Sequence, residues 1–114
     1  MKSLRPIYNP LNSYLTKREF NNAFAEFSKL IKIAGSLPRT DVLKKESNYW
    51  KGVCRSLIFR FPDDLEILLI PNNKKINNSD GIIQIRSSSR IGQSDLGVNK
   101  KRVENLFDQL EKFS

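Results

Sequence analysis

Histidine is absent from the chain and cysteine occurs once, at Cys54. Those two shortages exclude an internal disulfide and leave no conventional Cys/His zinc site. They also remove the usual general base for a serine nucleophile, so only a lysine or carboxylate could activate one. Cys54 itself falls in a strand-like segment, where a buried thiol behaves as a small hydrophobe. Long apolar runs are missing as well. Residues 65–70 form the most apolar stretch, interrupted by Glu66 and far below the roughly 18 residues a membrane span needs. Residues 1–15 place Pro6, Asn9, Pro10 and Asn12 after Lys2 and Arg5, without the continuous apolar region of a signal peptide. These absences lead to the expectation of a cytoplasmic chain with no transmembrane segment, no metal and no cofactor.

What the chain has in excess is positive charge. It carries 20 Lys and Arg against 12 Asp and Glu, a formal net charge of +8. Up to Leu57 there are 11 basic and 4 acidic residues, and beyond it 9 and 8, so the excess is amino-terminal. Such a field concentrates phosphate-rich partners or anionic surfaces without choosing among them. At 114 residues, 39% of them hydrophobic, the chain suits one folded domain. We expect an extended lead-in over 1–15 and a single α+β domain over 16–114.

Thr16 and Glu19 have capping-box spacing, and Phe20, Ala23, Phe24, Phe27, Leu30 and Ile31 recur at helical intervals. They predict an amphipathic helix from Thr16 to about Ala34, ended by a left-handed Gly35 and by Pro38. Strand-like spacing follows over 40–45, 49–61, 65–70 and 81–86, with Pro62, Asp63 and Asp64 forming a tight turn. Residues 71–80 read as a polar loop and 87–97 as a second one. Val103, Leu106, Phe107, Leu110 and Phe113 then mark the apolar face of a closing helix. Two such helices need an apolar surface to cover, which predicts a mostly antiparallel four-stranded sheet.

Two segments carry a family resemblance. Arg55 and Ser56 precede an aromatic segment and the acids, here Phe59, Phe61, Asp63, Asp64 and Glu66. Residues 85–99 then read Ile-Arg-Ser-Ser-Ser-Arg-Ile-Gly-Gln-Ser-Asp-Leu-Gly-Val-Asn. Over 49–110 the chain resembles the family catalogued as domain of unknown function 1499, found in bacteria and plastid-bearing organisms. Many members carry a cysteine- and proline-containing segment before the first helix, which this chain lacks. The resemblance implies a shared architecture and no established activity.

Three groups of residues invite chemical readings. Ser87, Ser88, Ser89, Arg90 and Ser94 could bind an anion, through hydroxyl donors and a forked guanidinium. Alternatively, Arg86 or Arg90 pairs with Asp63, Asp64 or Asp95 and pins the loop, with Asp95 capping the closing helix. Asp63, Asp64 and Glu66 could serve acid-base chemistry or a hard metal, although aspartates after a proline suit a turn. Tyr49 and Trp50 beside Lys51 and Arg55 could stack bases, or could simply be core aromatics. The reading favoured by these residues is a non-catalytic binding or interaction domain whose partner is an anionic small molecule or a protein. The alternatives are a small enzyme using Asp63, Asp64 or Glu66 with Arg90, and a basic nucleic-acid-binding module.

Overall fold

Alternation, and not helical spacing, governs the first regular element. In the structure, a computed structural model that describes residues 3–72 and 79–113, Ser13–Phe20 is strand β1. Tyr14 and Phe20 on one face pack against the core, while Lys17, Arg18 and Glu19 keep this edge strand polar. The capping-box reading of Thr16 and Glu19 is therefore corrected. Asn22, whose side chain accepts from the Ala25 amide, opens the true helix α1 at Ala23–Gly35. Ala23, Phe27, Leu30, Ile33 and Ala34 form its buried stripe, whereas Phe24 is 62% exposed. Gly35 does not take the left-handed conformation, which passes instead to Arg39 at φ 54°.

The remaining strands are β2 (Thr40–Lys45), β3 (Tyr49–Arg55), β4 (Pro62–Pro71) and β5 (Gly81–Ser89), and helix α2 spans Val98–Lys112. All neighbours pair antiparallel in the order β1-β5-β4-β3-β2, so among the described residues the sheet has five strands where four were expected. β3 stops at Arg55, earlier than its apolar continuation suggested. Ser56 and Phe61 close the following loop, with the Ser56 amide donating to the Phe61 carbonyl and the Phe61 amide to Ser56 Oγ. The expected turn at Pro62, Asp63 and Asp64 is instead the start of β4, and β5 runs on through the serines to Ser89. Of the expected polar loop at 71–80, residues 73–78 lie outside the described residues.

Both helices cover one face of the sheet. Trp50, Cys54, Leu65, Ile67, Leu69, Ile83 and Ile85 meet the buried stripes of α1 and α2 there in one core. Trp50 lies over Gly52, two residues along the same face. The opposite face is partly covered by the lead-in. Leu4 is buried against Tyr49 and Leu68, and its amide donates to Gln84 Oε1 at 2.8 Å. Arg86 then donates from Nε to the Arg5 carbonyl at 3.1 Å. Among the described residues, no helix is long and apolar enough to cross a membrane.

Candidate functional site

The period of a strand separates residues that the sequence places side by side. Ser87 and Ser89 point to the helix-covered face, and Ser88 to the other. Ser87 donates to Asn99 Oδ1 at 2.6 Å, Ser88 Oγ lies 2.7 Å from Ser13 Oγ, and Ser89 Oγ accepts from Asn99. Ser94 Oγ accepts from the Leu96 amide. Arg90 forks onto Asp64, with its Nε and Nη2 donating at 2.7–3.1 Å. The five serine and arginine side chains thus each have a partner within the chain, on two faces and in a loop.

The carboxylates divide in the same way. Asp63 shares the helix-covered face with Cys54 and pairs with Arg102 at 2.9 Å, both largely buried. Asp64 and Glu66 occupy the opposite face. Glu66 Oε2 accepts from the Tyr49 hydroxyl at 2.6 Å, while Oε1 lies 3.6 Å from Arg86 and 3.7 Å from Arg5, beyond hydrogen-bond reach. Burial, followed by the hydrogen bond to Glu66, pushes the Tyr49 phenol far above its ordinary range. Of the three acids, only Asp64 meets Arg90. Among the described residues, no three potential ligands of the Asp, Glu, Cys and His type are gathered around a metal position. Trp50, 1% exposed, and Tyr49, 7% exposed, are both buried, so neither offers a free face for stacking a base.

The hub of the 85–99 motif is Asn99, which sequence inspection did not single out. It is fully buried. Its Nδ2 lies within hydrogen-bond distance of the Asn12 carbonyl, Ser89 Oγ and Asp95 Oδ2, and its Oδ1 accepts from Ser87 and Arg102. Asp95 accepts from the Gly97 and Asn99 amides, so it satisfies the open end of α2 from two residues before Gly97. The signal in the sequence was an asparagine set four and seven residues before Val103 and Leu106, on the apolar stripe of the closing helix.

Partial burial alone would raise the Asp95 carboxyl, but the Asn99 and Gly97 donors outweigh it and hold the group below its ordinary 3.8. Asp64 follows the same logic. Burial would raise it, yet the Arg90 guanidinium, helped by Lys51 and Arg5, keeps it low. A carboxyl depressed in the folded state adds stability above its unfolded value, and that stability disappears as pH falls through the folded value. Asp95→Ala should therefore cost about 1 kcal/mol at neutral pH and less at about pH 3, a comparison readable from urea melts at the two pH values.

A second arrangement forms where α2 passes the ends of β2 and β3. A cleft of about 340 Å³ is lined by Arg39, Thr40, Arg55, Lys101, Arg102 and Asn105, together with apolar atoms and Cys54. Among the described residues, no carboxylate lines it. Arg55 pairs with Asp41 at 2.6 Å and Arg102 with Asp63, whereas neither Arg39 nor Lys101 has an acidic partner among the described residues. Arg39 is steered by one bond, from its Nε to the Arg55 carbonyl at 3.0 Å. Cys54, 3% exposed, accepts from Thr40 Oγ1 at 3.2 Å. Burial outweighs that bond and raises its thiol, so it stays protonated at neutral pH.

No curated protein matches this chain in sequence. The family model described as "Protein of unknown function (DUF1499)" matches residues 7–110, taking in β1 and α1 as well as the two segments that carry the resemblance. With nearly its whole length inside that match, the chain belongs to the DUF1499 family of proteins of unknown function.

Proposed function

We propose that this is a non-catalytic anion-binding domain whose ligand site is the cleft between α2 and the ends of β2 and β3. The carrying observation is the lining: four cationic side chains, two of them without an acidic partner among the described residues, and no carboxylate. Arg39 and Lys101 supply uncompensated charge, while Thr40 and Asn105 supply neutral hydrogen-bonding groups. A volume of about 340 Å³ stands at the small end of ligand clefts, with room for a phosphate, sulfate or carboxylate group together with a small organic moiety. Ser87 on β5 and Asn99 on α2 support the cleft from behind, because both accept from Arg102 and hold it in place.

Titration with inorganic phosphate and with glycerol phosphate, followed by calorimetry and thermal melting, tests this reading. Charge-assisted bonds contribute about 1.5–3 kcal/mol each, so Lys101→Ala and Arg39→Ala should each weaken binding by roughly 10–100-fold. Both side chains are exposed, and the unliganded melting temperature should hardly move. Binding that neither substitution weakens, or no binding at low salt, overturns the assignment.

A further inference from the structure

The loop that joins β3 to β4 has no place in the core, yet four of its six residues are large and apolar. Leu57, Ile58 and Phe59 are 69%, 78% and 71% exposed, and Phe61 is 48% exposed, with its ring stacked on Phe59 at 5.4 Å. Isolated exposed apolar residues are ordinary, but four within five positions concentrate apolar surface that burial within this chain does not explain. The patch begins two residues after Arg55, one of the cations lining the cleft. The same end of the sheet carries the loops before β1 and after β5, where Leu11 and Leu96 are also exposed.

Backbone conformation points to the same end. All the positive-φ residues among those described lie in its loops: Arg39 before β2, Arg60 before β4, and Gly92, Leu96 and Gly97 between β5 and α2. Three of these are not glycine, and such strained positions are retained where surrounding structure holds them.

We propose that this end of the molecule docks on an anionic phospholipid surface, with the Leu57, Ile58, Phe59 and Phe61 loop entering the headgroup layer and the cleft holding a lipid phosphate. This inference rests on the anion-binding reading of the cleft. Charge complementarity selects the occupant. The acids at this end are already engaged, Asp41 by Arg55, Asp63 by Arg102, Asp64 by Arg90 and Asp95 by the Gly97 and Asn99 amides. Among the described residues, Arg39, Arg60 and Lys101 have no acidic partner, on a chain of net charge +8. A second copy would bring the same cations face to face. An anionic bilayer offers an apolar layer beneath a sheet of phosphates, and each basic residue near such a surface adds to the attraction.

Co-sedimentation of the whole chain with phosphatidylcholine vesicles, and with vesicles about one-third phosphatidylglycerol, tests the proposal. Wild type should sediment with the second and hardly with the first. The double substitution Ile58→Ser and Phe59→Ser should weaken vesicle binding at least about tenfold, while calorimetric binding of glycerol phosphate and the melting temperature stay unchanged. Phe59→Trp should show a blue-shifted emission on the anionic vesicles. Lys101→Glu should weaken both glycerol phosphate and vesicle binding. Glycerol phosphate binding without vesicle binding, or vesicle binding untouched by the loop substitution, overturns lipid docking and leaves the cleft assignment standing. Failure of both ligands removes both. A dimer dispersed by the loop substitution would overturn the lipid in favour of a second copy.

Discussion

Asn99→Ala should lower stability by about 2–4 kcal/mol, which for a domain of this size means a fall of roughly 10–20 °C in melting temperature. The cost comes less from the bonds lost than from the groups left behind. Asn99 is fully buried and bridges five partners: the Asn12 carbonyl before β1, Ser87 and Ser89 on β5, and Asp95 and Arg102 beside and on α2. Alanine leaves a carbonyl, a carboxylate oxygen, two hydroxyls and a guanidinium without that partner in a space closed to bulk water. Asn99→Asp separates shape from hydrogen bonding. It keeps the volume, but removes the donor to Asn12 and sets a second carboxylate against Asp95, so it should also destabilise and should recover part of the loss as pH is lowered. Chemical melts of the three proteins at two pH values decide the matter. A loss below about 0.5 kcal/mol for Asn99→Ala would mean that the motif is not held by this residue.

Gly52→Ala should cost about 1–3 kcal/mol, although alanine is among the smallest of changes. A Cβ at residue 52 would stand 2.6 Å from Trp50 Cη2 and 3.1 Å from the Asp41 carbonyl oxygen. The indole has nowhere to retreat, since Trp50 is 1% exposed in the core shared by both helices. The glycine is required for close approach and not for its backbone freedom, because its φ is not positive. In a Trp50→Leu background the obstructing ring is gone, so the same glycine substitution should cost measurably less. A double-mutant cycle with denaturant melts gives the coupling, and a coupling near zero would place the strain elsewhere.

Several elements can be read directly from residue order. The apolar period of Val103, Leu106, Phe107 and Leu110 is the buried stripe of α2, and β2 falls on the expected residues 40–45. The body of α1 was equally plain, from Ala23 through Phe27 and Leu30. Its start was not. Residues 13–20 fit a capped helix by spacing and a strand by alternation, and only the ladder to β5 decides between them, because an edge strand draws its stability from a partner more than 60 residues away. The loop after Arg55 misled for the opposite reason. Leu57 to Phe61 look like strand core because apolar residues are usually buried, and the rule fails where a surface is kept apolar.

The candidate site shows the same division. The identity of Ser87 to Ser89, Arg90, Asp95 and Asn99 marks a motif in one dimension, but a strand places alternate residues on opposite faces, so their adjacency dispersed them. Asp63 and Asp64 likewise parted, one to Arg102 and one to Arg90. The cleft is the converse case, bringing Arg39, Arg55 and Lys101 together from the turn after α1, from β3 and from α2. Sequence alone determined the charge, the missing histidine and disulfide, the buried stripe of the closing helix and the family. Which cations remain unpaired, and which apolar residues remain uncovered, was decided by tertiary structure, because both depend on partners supplied by distant segments once the sheet has closed beneath its helices.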